Sequence, residues 1–507
     1  MNNSPQNNFS LPLQSRSASV REKNDIGAIF GFITSTLLGV VLSMAAPSGG
    51  HVSQGFCWIV LLNVGLTVTV LFYKKCREKK PINWLTPDVS FTVSFIVVHF
   101  LYVFLWLTHI FDLGSEIWYF RRANCPHTVC STIAMCSACL SIFHLGYCLV
   151  KTKRRLGPSK INPGWQLLGK VMTRISLLGL AGFIVILGNS FLGGHYSGTS
   201  GGGATANTLF NIFQGLILAS IAVVVISRAP IKSNSKRLAA VDIILAVIGA
   251  LALLIHGDRS TFLLIILALV TSYSEFVKPI KLRTGIIAFF GLLMLLGISQ
   301  IARSRAVGER SISSFYRVGS QHAGDSVELS AKTFSSSALT AFVAVDFVPN
   351  EHEYYYGKMK VLSVSGMVPF GRRLFGIKQD ETTSSSNLFT LLIQGSTRGV
   401  SGTGTSVFAD FYLDGGFPGC LVAFLGMGLF FRWIVEKSRS TNDIRWHVCF
   451  VCLVSVLSIS ARMLIVDLVV RQVFYPVIYT FVIGWLLGIR YRSVPAAVKS
   501  FFPSRSY

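Results

Sequence analysis

The segment "LLIHGDRSTFLL" sets Asp258 and Arg259 between two long apolar runs. Arginine is suited to gripping two oxygens of one phosphate with its planar fork. Other arginines also end or follow apolar runs. Arg303, Arg305 and Arg310 lie in "QIARSRAVGERSIS"; Arg317, Arg372, Arg373 and Arg398 follow, with Arg462 and Arg471 near the C-terminus. Ionisable residues at a membrane edge are rare and tend to mark function. Arg471 has a plainer reading, because Asp467 precedes it by one helical turn and can pair with it. Arg259, Arg303, Arg305 and Arg398 are the candidate anion-binding set, and the anion they suit is a pyrophosphate.

A second constellation is "GSTRGVSGTGTSVFADFYLDGGFPG". A Gly/Ser/Thr loop, whose backbone amides could hold an anion, leads into a helix with Asp410 and Asp414 on one face. "GGFPG" then interrupts that helix before the apolar run resumes. Asp410, Asp414, Glu309 and His322 are the candidate general bases, with His322 open to the plainer reading of a loop surface residue. His99, His109 and His144 lie in or near apolar runs and read as core groups. No metal-ligand cluster, phosphate-binding Lys loop or nucleophile elbow is present. The expectation is therefore chemistry without a metal or cofactor.

The elements that must position these residues are membrane helices. The 507 residues are 51% hydrophobic and only 13% charged, and about 20 consecutive apolar residues suffice to span a bilayer. Twelve runs qualify: 26–46, 55–73, 88–111, 131–150, 170–192, 208–227, 239–256, 260–276, 283–302, 406–434, 446–461 and 471–488. Connections after the even-numbered runs are basic, as in "KKCREKK", "KTKRRLGPSK" and "SRAPIKSNSKR". Those after odd-numbered runs are nearly free of Lys and Arg. By the positive-inside rule both termini are cytoplasmic, and the formal net charge of +24 collects in cytosolic loops rather than on a nucleic-acid surface. The helices themselves read as almost free of ionisable groups in their cytoplasmic halves.

The expected organisation is a disordered cytoplasmic tail (1–25), nine spans (26–302), one large extracytoplasmic loop (303–405), three spans (406–488) and a cytoplasmic tail (489–507). The polar N-terminus lacks the pattern of a cleaved signal peptide. The large loop is too short and polar for a core of its own; it reads as a lid with two or three short helices. Cys57, Cys136, Cys139, Cys148, Cys449 and Cys452 fall within apolar runs and read as small core side chains. Cys125 and Cys130 share a polar loop, where a disulfide is open to them.

With these residues in view, the chain resembles the Wzy-type polymerases of O-antigen and other oligosaccharide repeat units. The resemblance covers about residues 250–430 and rests on Gly257 and Arg259, Arg303, "YYYGKMKVLSVSGMVPFGRR" and "FYLDGGFPG". It implies an all-α, polytopic, GT-C-like glycosyltransferase in a bacterial inner membrane, its site facing the periplasm. Such enzymes move a growing glycan from undecaprenyl pyrophosphate onto a new lipid-linked repeat unit, and a chain-length regulator is a partner the family implies. Neither metal nor cofactor is needed, because pyrophosphate is already a leaving group that cations can stabilise. Two alternatives are an O-antigen ligase, which shares topology and donor, and a polysaccharide flippase or transporter, which needs polar residues in both leaflets.

Overall fold

The computed structural model describes residues 16–49, 52–77, 82–110, 126–151, 163–188, 191, 203–227, 236–256, 258–288, 290–292, 295, 337–367, 384–395, 404–441, 443–462 and 469–489. Among the described residues the chain is helical and has no strand. We number the helices α1 (Arg16–Met44), α2 (Gln54–Cys76), α3 (Pro87–His99), α4 (Leu101–Leu107), α5 (Pro126–Leu149), α6 (Pro163–Leu187), α7 (Gly203–Ile226), α8 (Lys236–His256) and α9 (Arg259–Phe276). After a short apolar helix at Leu282–Leu292 come α10 (Ala338–Phe347), α11 (Lys358–Met367), α12 (Ser385–Gln394), α13 (Val407–Ser440), α14 (Ile444–Leu457) and α15 (Tyr475–Leu486).

Among the described residues, seven helices are long and apolar enough to cross a membrane, or eight if the bent pair α3 and α4 counts as one span. The runs expected at 239–256, 283–302, 446–461 and 471–488 contain shorter apolar helices, of 10–17 residues.

Two groups of helices make the bundle. In the first, α5 packs against α1, α2 and α13; in the second, α7 packs against α6, α9 and α15. The nearly wholly buried α14 touches α3, α7, α9, α13 and α15 and so joins the two. Small residues let the first group close. A Cβ on Gly428 would stand 2.1 Å from the Phe143 carbonyl oxygen, and one on Gly146 would stand 2.3 Å from that of Leu425. Glycine at both positions lets α5 and α13 cross with their backbones touching, as membrane helices without a hydrophobic drive between them require.

Polar side chains fasten the same group. The hydroxyl oxygens of Ser35 in α1, Thr67 in α2 and Ser141 in α5 lie 2.7–2.8 Å from one another, a cluster of three hydroxyls within hydrogen-bond reach. Asn63 extends it, accepting from Ser35 Oγ at 2.8 Å and donating to Ser137 Oγ at 3.1 Å. All five residues are buried.

One expectation is corrected here. The helix ends nearest the basic connections are not free of charge. Lys75 and Asp88 pair at 3.3 Å with side chains only 2% and 1% exposed, and Arg432 bonds Glu436 at 2.7 Å one helical turn away. Tyr147 lies beneath both Arg432 and Lys74, whose charges sit 5.2 and 5.4 Å from its ring centre. His144 bonds Thr92 at 2.7 Å beside this group. Read linearly, Lys75 belongs to a loop and Arg432 to the end of a span. In three dimensions, α2 and α13 continue past the apolar runs, α13 to Ser440, and carry these charges inward.

The segment expected as a lid contributes three short helices, and one is part of the bundle. In α10, Leu339, Ala341, Phe342, Val343 and Phe347 are buried, and the helix packs on α5 and α13. Cys130 is buried within α5 and its thiol meets Cys57 of α2; Cys125 lies outside the described residues.

Candidate functional site

The first turns of α13 carry the second constellation. Ser406 caps the helix by accepting the Ala409 N–H at 3.2 Å, which fixes where the helical register begins. From that start Asp410 and Asp414 fall on one face, one turn apart. The helix then breaks: Gly415 and Gly416 leave helical geometry, Gly416 at φ +60°, and Pro418 follows. A side chain at Gly416 would meet the Tyr354 hydroxyl at 2.6 Å in a backbone conformation that already favours glycine.

A broken helix leaves carbonyls without their usual donors. The Leu413 carbonyl accepts the Tyr355 N–H at 2.8 Å. Asp414 Oδ1 accepts the Gly357 N–H at 2.8 Å. These two bonds tie the "YYYG" turn to α13 and bring α11 alongside.

That turn delivers Lys360. Its ammonium donates to Asp414 Oδ2 and to the Asp410 carbonyl oxygen at 2.8 Å, and lies 3.4 Å from Asp410 Oδ2. The Phe411 ring lies 4.8 Å from the same nitrogen. Ser385, at the start of α12, donates to Asp410 Oδ1 at 2.8 Å. Three segments distant in sequence thus converge on two carboxylates.

The two carboxylates differ. Asp410 is 2% exposed and enclosed by Ser385 and Lys360, whereas Asp414 is 17% exposed and Lys360 is 19%. Two carboxylates against one ammonium leave the cluster with an excess negative charge when all are ionised. The lysine sits where a bridging cation otherwise would, and among the described residues no group of three His, Cys, Asp or Glu could hold a metal. Such an arrangement suits proton transfer at Asp414, with Asp410 and Lys360 setting its position and charge.

The turn is also strained. Tyr356 has φ +47° and Gly357 φ +81°. An aromatic residue in the left-handed region costs about 1–2 kcal/mol, which the bonds to Leu413 and Asp414 must hold in place. Burial raises the neighbouring Tyr355 phenol above its ordinary range.

Asp410 and Asp414 are therefore brought together, with Lys360 and Ser385 as partners that linear reading missed. Lys360 had a visible cue, a lysine flanked by Met359 and Val361 in a segment already singled out. Ser385 had none. Asp258 is the N-cap of α9: its carboxylate accepts the Thr261 N–H at 3.1 Å and the hydroxyls of Thr261 and Ser260 at 2.7 Å. Arg259 opens α9 and is half-buried. Arg303, Arg305, Arg310, Arg317, Arg372, Arg373, Arg398, Glu309 and His322 lie outside the described residues. So does Asp467, the expected partner of Arg471. The arginine set is thus described only at Arg259.

Compared with known protein families, curated proteins and solved structures, the chain has no match.

Proposed function

We propose that this protein is a membrane glycosyltransferase that joins lipid-pyrophosphate-linked oligosaccharide units into a long polysaccharide. The reading includes a twelve-span, GT-C-like topology in a bacterial inner membrane, both termini cytoplasmic and the Asp414 end facing outward. The observation that carries it is Lys360 shared between Asp410 and Asp414 where a membrane helix begins. A charged, half-solvated cluster at the end of an apolar span suits a substrate whose lipid stays in the bilayer and whose sugars lie above it.

In this reading Asp414 takes the proton from an acceptor sugar hydroxyl. The hydroxyl oxygen bonds to the anomeric carbon of the donor glycan as that carbon's bond to pyrophosphate breaks. Lys360 holds the Asp414 carboxylate in place through its ion pair, and Asp410, closed from solvent, keeps Lys360 between them. The leaving pyrophosphate needs cations, the role of Arg259, Arg303, Arg305 and Arg398. A lipid-linked repeat unit is both donor and acceptor, and a chain-length regulator would act on how often transfer repeats.

Asp414→Asn keeps the shape but cannot accept the proton. It should reduce polymer formation by about 100- to 10,000-fold while leaving the protein folded and inserted. Glycan ladders from cells carrying the variant as sole copy provide the readout, with membrane-fraction abundance measured beside them. Normal ladders from a well-expressed Asp414→Asn protein would remove the base from this reading.

The buried pairs Lys75–Asp88 and Arg432–Glu436 favour a second reading, a flippase or transporter, because intramembrane charges often line ion or substrate pathways. It predicts that lipid-linked units accumulate on the cytoplasmic leaflet when the protein is lost. The polymerase reading predicts single units reaching the outer leaflet. A ligase would instead leave free polymer made but unattached.

A further inference from the structure

We propose that Tyr356 is a sugar-stacking platform, a glycan subsite whose ring packs against the apolar face of a pyranose held next to Asp414. The inference rests on the glycosyltransferase reading and names what that site recognises.

Three independent observations meet at this residue. Its side chain is 78% exposed, unusual for a large aromatic that could fold onto a neighbouring apolar surface. Its backbone is left-handed, at φ +47°, where a bulky residue is an outlier and Gly or Asn would sit without penalty. Its successor Gly357 bonds directly to the Asp414 carboxylate at 2.8 Å. The chain therefore presents an exposed ring, from a conformation that resists it, one residue from the candidate base. Strain of this kind persists where the surroundings impose it and concentrates at binding sites.

The surroundings specify the ligand's chemistry. Within five residues of Tyr356 in sequence, Glu351, Glu353 and Lys358 are exposed, charged groups of the kind that bond hydroxyls on a ligand's rim. Behind it, Phe347, His352 and Tyr355 form a stack, with ring centres 5.5 and 4.4 Å apart and planes within 22° and 6°. Tyr354 meets Tyr356 edge-on at 6.2 Å, so a neighbouring ring fixes its plane. A flat apolar face with charged hydrogen-bonding groups close by in sequence fits a pyranose, which has C–H groups on its faces and hydroxyls around its rim. A tyrosine serving only as an interfacial anchor needs no strained backbone and is flanked by lipid rather than by two glutamates and a lysine.

The test uses the full chain in detergent micelles and, as probe, the oligosaccharides released by mild acid from lipid-linked intermediates of the same cells. Saturation-transfer NMR should report transfer to the protons of one sugar-ring face in the wild type. Tyr356→Ala should weaken binding by about tenfold or more, and Tyr356→Trp should preserve it. Tyr356→Gly guards against loss of fold: it relaxes the backbone and should raise the melting temperature while still losing the glycan. Unchanged binding in Tyr356→Gly would overturn the subsite. So would selective quenching of Tyr356→Trp fluorescence by brominated lipids in nanodiscs, because the ring would then lie in the bilayer. Asp414→Asn separates the two claims. If it binds oligosaccharide but makes no polymer, both stand; if it polymerises normally while Tyr356→Gly loses the glycan, the subsite stands and Asp414 is not the base. If Tyr356→Gly loses the glycan while cells lacking the protein still polymerise, the subsite stands and the polymerase assignment falls.

Discussion

Two ionic clusters occupy opposite ends of one helix and are built on opposite principles. Asp410 and Glu436 both belong to α13, separated by about 35 Å at 1.5 Å per residue once the break is allowed for. At one end, two carboxylates, Asp410 and Asp414, share one ammonium, that of Lys360, two of the three side chains are partly exposed, and a glycine break lies within one turn. At the other, Lys75 with Asp88 and Arg432 with Glu436 are paired one to one and almost wholly closed. A balanced, closed pair has nowhere to put a substrate and holds helices in register. An unbalanced, open one beside a flexible point can exchange a proton with a ligand. Charge burial alone does not separate structure from function; balance and access do.

The largest effect expected from breaking the comparison is at the closed end. Asp88→Ala leaves Lys75 buried opposite no carboxylate, and losing one partner of such a pair costs about 3–5 kcal/mol. The protein should lose most of its membrane-inserted abundance and its melting transition in detergent. Replacing both residues, Lys75→Met with Asp88→Leu, should recover stability, since a buried ion pair is often replaceable by apolar groups of similar volume. If the double variant is as unstable as the single one, or stable but unable to polymerise, the closed cluster is more than a fastener.

A smaller effect lies on the helix between the clusters. Gly428→Ala puts a methyl group against the Phe143 carbonyl, where its Cβ would stand 2.1 Å away. Overpacking of this kind costs about 1–3 kcal/mol, read as a lower melting temperature. Because α13 also carries Asp410 and Asp414, separation of α5 and α13 should reduce polymer length along with stability. A drop in stability with unchanged ladders would uncouple the open cluster from the crossing.

The smallest concerns the turn before α9. Asp258→Ala removes a cap that accepts the Thr261 N–H, a loss of about 1 kcal/mol. If the turn only starts a helix, thermal stability falls slightly and ladders are unchanged. A loss of polymer exceeding that of stability would join Asp258 and Arg259 to the open cluster.

Local chemistry made much of this readable from the chain. Seven of the twelve apolar runs coincide with helices long enough to cross a bilayer, and an eighth with the bent pair α3 and α4. Asp258 caps α9, Asp410 and Asp414 share a face, and "GGFPG" interrupts α13, each decided by residues within one or two turns. The partners of those residues were not readable, because Lys360 and Ser385 reach Asp410 across 50 and 25 residues of sequence. Lys75 looked like a loop charge, because linear reading ends a helix where apolarity ends.

The sequence by itself determined that this chain is made of apolar helices, where several begin and break, and which carboxylates stand together. Those outcomes follow from hydrophobic length, side-chain capping and the fixed 3.6-residue turn. Tertiary structure alone decided that one lysine serves two aspartates, that Tyr356 is held outward on a strained turn, and that four further charges are sealed at the far end. Coulombic pairing and desolvation depend on distances in space, which sequence spacing does not encode.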